Sequence, residues 1–236
     1  MMDSRQILRN QISFDAASFD RDGFARDALV LDADSCDTLA ATFDEMKGAG
    51  VRHLIHHAKV RALLKHSKVA ELLCGVLGGN TFAYKATLFD KSTDSNWLLA
   101  WHQDVSIPVR QQRDLAGWTG WSRKENVLYV QPPTDVLSRL VALRINLDDC
   151  CNNNGPLRLL AGSHRLGRVN HSEVASHTSS HIEQTITGAR GSGMLMRPLL
   201  IHASSKAVAI ARRRVLHLEF ANFELPDGMD WAQKNT

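Results

Sequence analysis

The chain has 236 residues, 44% of them hydrophobic and 22% charged, with a formal net charge of +3. This is the composition of a folded globular domain and excludes a disordered chain; so small a charge, with "ARRRV" (211–215) as the densest basic cluster, argues against a nucleic-acid partner. No apolar stretch approaches the roughly 20 residues that cross a bilayer, and the charge-dotted N-terminus "MMDSRQILRNQISFD" lacks the apolar region of a signal peptide.

In chain order, "DALVLD" (27–32) reads as a short strand. Ser35 is the expected cap of a helix running to about Lys47, with Leu39, Phe43 and Met46 on one face, ended by "GAG" (48–50). A second helix near "SKVAELLCGVLGG" groups Val69, Leu72, Leu73 and Val76 and stops at Gly78 and Gly79. From residue 81 the period becomes that of strands. "TFAYKATLF", "NVLYV", "RLVALRINLDD", "GPLRLL", "GMLMRPLLIHAS" and "RRVLHLEFAN" are separated by turn clusters such as "CNNNGP" and "AGSHRLG". So many strands without intervening helices predict a mainly β fold, a sandwich or jelly roll with a helical N-terminal layer over residues 1–80. The segment from about 105 to 135 reads as holding at most one or two strands. Long loops in compact domains are usually functional or disordered, and Trp118 and Trp121 argue against disorder, so a lid or substrate wall is expected.

"AWHQDVSIP" (100–108) places His102 and Asp104 two apart, on one face of a strand. They are either two ligands of a metal or a polar pair facing water. A mononuclear 2-His-1-carboxylate iron site needs one more histidine, and His202, ending "RPLLIHASS" with small neighbours, is the best of eleven. Alternation puts Arg213 on the face of Val215 and His217. A guanidinium inside a barrel is costly unless paired, and a dicarboxylate would take it with two parallel hydrogen bonds.

Together, "ATLFDKSTDSNWLLAWHQD", "NNNGPLRLLAGSHRLGRV", "RPLLIHASS" and "RRVLHLEFAN" resemble the phytanoyl-CoA dioxygenase family over residues 81–223, in the family's order. The resemblance implies a single-domain double-stranded β-helix (jelly roll, cupin-like) spanning 1–236, and an oxidoreductase using Fe(II), 2-oxoglutarate and O2. It implies His102, Asp104 and His202 as catalytic iron ligands. Arg213, eleven residues beyond His202, matches the family arginine for the distal carboxylate of 2-oxoglutarate, and Ser204 matches a second contact to it. Thr87 and Arg144 fall where members line the co-substrate pocket, and Asn96 is a further candidate donor. The expected reaction is hydroxylation of a small molecule with release of succinate and CO2; a retained carboxylate at Asp104 favours hydroxylation, or a desaturation or cyclisation, over halogenation. A silent binding module on the same fold, or a cupin-like metalloenzyme that does not use 2-oxoglutarate, are the alternatives.

Other residues read more plainly. His53 and His57 have helical metal-pair spacing but no glutamate between them and no third ligand. His164 reads as a turn residue, and His171, His177 and His181 as exposed loop; Trp97 and Trp101 read as core. Cys36, Cys74, Cys150 and Cys151 form neither zinc pairs nor a disulfide framework, which suits a reducing cytoplasm. No phosphate loop or GxSxG elbow occurs. Arg110, Arg113, Arg123 and Lys124 hint at an anionic substrate, a hint diluted by Asp114 and Glu125. Substrate identity and oligomeric state stay open.

Overall fold

The computed structural model describes residues 15–27, 29–44, 46, 48–208, 211–226 and 228–235. Helix α1 (Ala16–Asp22) leads into strand β1 (Phe24–Asp27), α2 (Ala33–Phe43), the two-residue β2 (Gly50–Val51), α3 (Ala58–Leu64) and α4 (Ser67–Leu77). Strands β3 (Phe82–Lys91), β4 (Leu99–His102), β5 (Ile107–Val109), β6 (Thr119–Lys124) and β7 (Val127–Gln131) follow. After α5 (Thr134–Ser138) come β8 (Val141–Asn146), β9 (Leu157–Leu160), β10 (Glu183–Ile186), β11 (Gly193–Met196), β12 (His202–Ser204) and β13 (Arg213–Ala221).

The strands form a six-stranded sheet in the order β1-β11-β8-β13-β3-β2, a four-stranded sheet β10-β9-β12-β4, and a separate three-stranded sheet β5-β7-β6. The two larger sheets make the double-stranded β-helix, and α1 to α4 cover the outer face of the six-stranded one. Period-two alternation sorts that sheet into two chemistries. Its outer face gives Ala86, Leu88, Leu143, Ile145, Leu195, Leu216 and Leu218 to one apolar cluster with Leu39, Phe43, Ile55, Val60, Val69 and Leu72 of the helical layer. Each buried Leu, Ile, Val or Phe among them contributes roughly 1.5–3 kcal/mol. Its inner face carries Thr87, Lys91, Arg144, Arg213, His217 and Glu219, all on matching positions of the β13 pairings with β3 and β8 or beside them.

Four readings are corrected. The first strand is "FARD", not "DALVLD": β1 pairs with β11 from Phe24↔Met196 to Asp27↔Gly193. Val30 and Leu31 are apolar because a loop buries them, with both amides on Gly191 O; Ala28 lies outside the described residues. Helix α2 is capped by Asp32, whose carboxylate accepts from Ser35 N at 2.7 Å, so Ser35 sits in the first turn. That helix ends at Phe43, and Lys47 lies outside the described residues. "GMLMRPLLIHAS" is two strands in different sheets, turned at Arg197–Leu200 around Pro198. Finally, 105–135 holds three strands rather than at most two. They are welded by a second apolar cluster that includes Ile107, Val109, Trp118, Val130 and the C-terminal Trp231. In place of the expected loop stands a packed three-stranded sheet.

Candidate metal centre

Strands β4 and β12 run antiparallel, and their register sets His202 directly opposite His102, with ring centroids 4.2 Å apart. Asp104 follows on the same face, its amide held by Pro198 O at 2.9 Å. Each imidazole is fixed by a carbonyl two residues back: His102 Nδ1 to Ala100 O and His202 Nδ1 to Leu200 O, both 2.8 Å. A carbonyl can only accept, so Nδ1 carries the proton and the bare Nε2 faces inward. Nε2 of His102 lies 3.8 Å, and that of His202 3.5 Å, from the Asp104 carboxylate. One ligand atom from each of the three lies within 4.8 Å of the other two. Two imidazoles and one carboxylate on one side of a cavity, open on the other, suit a 2-His-1-carboxylate metal site.

Gln103 points away from the cluster and ties it down. Its amide NH2 donates to Gly167 O (2.8 Å) and Leu199 O (2.7 Å), and its carbonyl accepts from Val169 N at 2.9 Å. The end of β4 and the segment after it, which carry two candidate ligands, are thereby locked to the turn that delivers the third.

The electrostatics favour metal-ready protonation states. Burial and the neighbouring His102 push His202 down to about 3, against the pull of Asp104. Burial would raise the Asp104 carboxyl, but His202, His102, His217 and Lys85 hold it well below the usual carboxylate range. Neutral imidazole and ionised carboxylate are the forms a metal requires.

The three consecutive arginines divide by alternation. Arg212 pairs with Asp90 at 2.7 Å and with Asp44. Arg214 pairs with Asp148 and Asp44, each at 2.7 Å. Arg213, between them, turns inward, is 3% exposed, and donates to Asn154 O at 3.2 Å, with no carboxylate on it among the described residues. Beside it, Arg144 donates to His217 Nδ1 at 3.3 Å, and burial next to Arg213 pulls its guanidinium down to about 10. Lys91, the register partner of Arg213, is likewise buried inside. Thr87 faces the same lumen, and its buried Oγ1 has no hydrogen-bond partner among the described residues. Phe89, Trp97, Leu99, Arg144, Ser204 and Arg213 surround a space of about 40 Å³ against the His102–Asp104–His202 cluster. A larger cavity of about 350 Å³ continues past Arg144 and Arg213 to Asn146, Cys150 and Ser192. On the other flank of His102 lies a cleft of about 400 Å³ bounded by Thr119, Gln131, Arg168 and His171.

The fold thus brings together His102, Asp104, His202, Ser204, Arg213, Arg144 and Thr87. Asn96 is not among them. Its amide exchanges two hydrogen bonds with Ala207 (2.8 and 2.7 Å), stitching two loops. Trp97, expected in the core, lines the pocket with Lys91 5.1 Å from its ring centre, whereas Trp101 packs under Arg158. His53 and His57 do not share a helix: His53 has a left-handed φ of 61°, and His57 caps α3 by accepting from Lys59 N. Lys91 and the network that joins Lys85 and Glu219 to His217 escaped the sequence reading. Lys85 lies 2.6 Å and His217 3.3 Å from Glu219 Oε1, and Tyr84 OH donates to Oε2 at 2.9 Å. Their signal was available, since period two from Thr87 reaches Lys85 and Lys91, and from Arg213 it reaches His217 and Glu219.

The comparisons agree with this picture. The structure superposes on the non-heme alpha ketoglutarate dependent carbocyclase SnoK from nogalamycin biosynthesis with a TM-score of 0.68 at 13% identity, covering 90% of this chain and 87% of that one. It matches EctD from S. alaskensis with a TM-score of 0.67 at 19% identity, covering 93% and 77%. EctD crystallised with 2-oxoglutarate and 5-hydroxyectoine also scores 0.67, at 18% identity over 93% and 76%. These likenesses show the cupin-like fold. No curated protein matches the chain. No helix among the described residues is long and apolar enough to cross a membrane. The sequence profile of the phytanoyl-CoA dioxygenase family matches residues 19–215, and with the β-helix and the His–Asp–His cluster in place the chain belongs to that family, whose membership supports an oxygenase of the dioxygenase type.

Proposed function

We propose that the chain acts as one domain that uses Fe(II), 2-oxoglutarate and O2 to hydroxylate a C–H bond of a small molecule, releasing succinate and CO2. The observation that carries this reading is the contrast among the three arginines: the outer two are neutralised by aspartates, and Arg213 is buried beside the His102–Asp104–His202 cluster without one among the described residues. A buried guanidinium in that state wants an anion. The cluster's neighbour EctD is described with 2-oxoglutarate bound.

In this reading His102, Asp104 and His202 hold the iron, and Arg213 takes the distal carboxylate of 2-oxoglutarate. The iron and co-substrate, when bound, supply oxidative decarboxylation and the oxidising power for C–H attack. The chain's own work is positioning. The carbonyls of Ala100 and Leu200 fix the imidazole tautomers, Gln103 ties the segment after β4 to the turn before His202, and Arg144 lines the pocket, with Thr87 on the same inner face of the sheet. Asp104 would hold the iron together with the two histidines, and a carboxylate in that ligand set favours oxygen over halogen transfer. Substrate reaches the centre along the cleft beside His102, with β5-β7-β6 as its wall.

The test is an anaerobic titration of purified protein with Fe(II) and 2-oxoglutarate, following the visible metal-to-ligand charge-transfer band. A saturable band that is lost in His202→Ala and needs more 2-oxoglutarate in Arg213→Ala is expected. A folded protein that takes up iron but shows no band would overturn the reading in favour of a metalloenzyme without 2-oxoglutarate.

A further inference from the structure

Resting on that reading of the pocket, we propose that Lys91, and not Ser204, is the second group that binds the distal carboxylate, so that an ammonium–guanidinium pair selects dicarboxylate co-substrates. Lys91 ends β3 and Arg213 begins β13, and the register makes them direct neighbours on the inner face. Their residue exposures are 1% and 3%. Two long cations side by side in a barrel, with no carboxylate on either among the described residues, form a site of unbalanced positive charge.

The hydrogen bonds assign the roles. Lys91 Nζ donates to Ser204 Oγ at 2.7 Å and to Ser205 O, which leaves one of its three N–H groups free. Ser204 Oγ accepts from Lys91 and spends its single proton on Gly155 O at 2.8 Å. In this arrangement the hydroxyl proton is committed to Gly155 O, and the oxygen seats the ammonium. Gly155 completes the seat. Its φ is +74°, and a Cβ there would lie 2.6 Å from Ser205 O and 3.0 Å from Lys91 Nζ, so a side chain would displace the lysine. Trp97 closes the side of the pocket against Lys91. Burial and the neighbouring Arg213 pull the Lys91 ammonium down to about 8, as expected of a cation whose counter-ion is a ligand.

The experiment uses Fe(II)-loaded protein under anaerobic conditions. Binding of 2-oxoglutarate is read from the charge-transfer band and independently by calorimetry, with pyruvate as a probe lacking the distal carboxylate. Lys91→Met should weaken 2-oxoglutarate about ten- to a hundredfold, the value of a charge-assisted contact, and leave pyruvate and iron binding unchanged. Lys91→Arg, which keeps the charge should the methionine variant fold poorly, should recover most of the affinity. Ser204→Ala should weaken 2-oxoglutarate less than Lys91→Met does. Wild-type affinity in Lys91→Met, or a larger loss in Ser204→Ala, overturns the assignment while the pocket stands. If wild-type protein shows no 2-oxoglutarate binding by either readout, the pocket reading itself fails, and Lys91's role with it.

Discussion

Lys91 makes a prediction about stability that runs opposite to its proposed use in binding. Its ammonium is held at about 8, against 10.5 for an ordinary lysine, chiefly by burial and then by Arg213. At pH 7 the charged side chain therefore costs the folded state about 3 kcal/mol. Lys91→Met removes that cost but also removes the donor to Ser204 Oγ and Ser205 O, about 1 kcal/mol for each lost bond. The ligand-free variant should come out roughly 1–2 kcal/mol more stable than wild type at pH 7. The pH dependence is the sharper test. Above about 8 the folded protein releases a proton that the unfolded chain keeps up to 10.5, so wild-type stability rises with pH across this window. The variant lacks that contribution. Urea titrations at 25 °C and pH 7, 8, 9 and 9.5 should show wild type gaining about 2 kcal/mol on Lys91→Met. Subtracting the two curves cancels every other titrating group. A difference that stays flat from pH 7 to 9.5 would refute the claim that Lys91 is held as an unneutralised buried cation.

Three further outcomes follow from the same physics. Lys85→Met leaves Glu219 buried with Tyr84 and His217 alone, and should destabilise by about 3–5 kcal/mol, whereas Lys85→Met combined with Glu219→Gln should recover much of that loss in urea unfolding. Leu216→Ala, at the contact between the six-stranded sheet and the helical layer, should cost about 2–5 kcal/mol without altering iron affinity measured by competition with a chelator. Gln103→Leu keeps the volume but orphans Gly167 O, Leu199 O and Val169 N; it should cost about 2–4 kcal/mol and, unlike Leu216→Ala, weaken iron uptake.

What could be read from the sequence was whatever alternation and spacing encode locally. The strand run from residue 81, the helix at Ser67–Leu77, and the convergence of His102, Asp104 and His202 all follow from period two, period 3.6 and the family motifs. Boundaries failed where two residues compete for one job. Asp32 and Ser35 are both good caps, and only the entry direction of the chain gives the place to Asp32. Val30 and Leu31 look like a strand because burial, not pairing, demands apolar side chains. Asn96 was misplaced because an amide beside a metal motif serves a loop as readily as a ligand. Lys91 was passed over because an isolated lysine after "LFD" reads as surface; only the register with Arg213 turns it inward.

The six-stranded sheet packs an apolar outer face on the helical layer while its inner face carries the charged side chains, and this division has a consequence for how such a protein can change. Adjacent residues of one strand answer to different demands: Leu88 and Leu216 hold the helical layer in place, while Thr87 and His217 face the lumen. The largest apolar cluster lies on the outer side of the sheet, against the helical layer and away from the His102–Asp104–His202 cluster. Inner positions free of the Lys85–Glu219 pair can therefore be varied with a small penalty to folding, and a library randomised at Thr87 and Arg144 should retain many more folded members than one randomised at Leu88 and Leu143. A scaffold built this way lets new chemistry be tried on one face of a strand while the other keeps the protein whole.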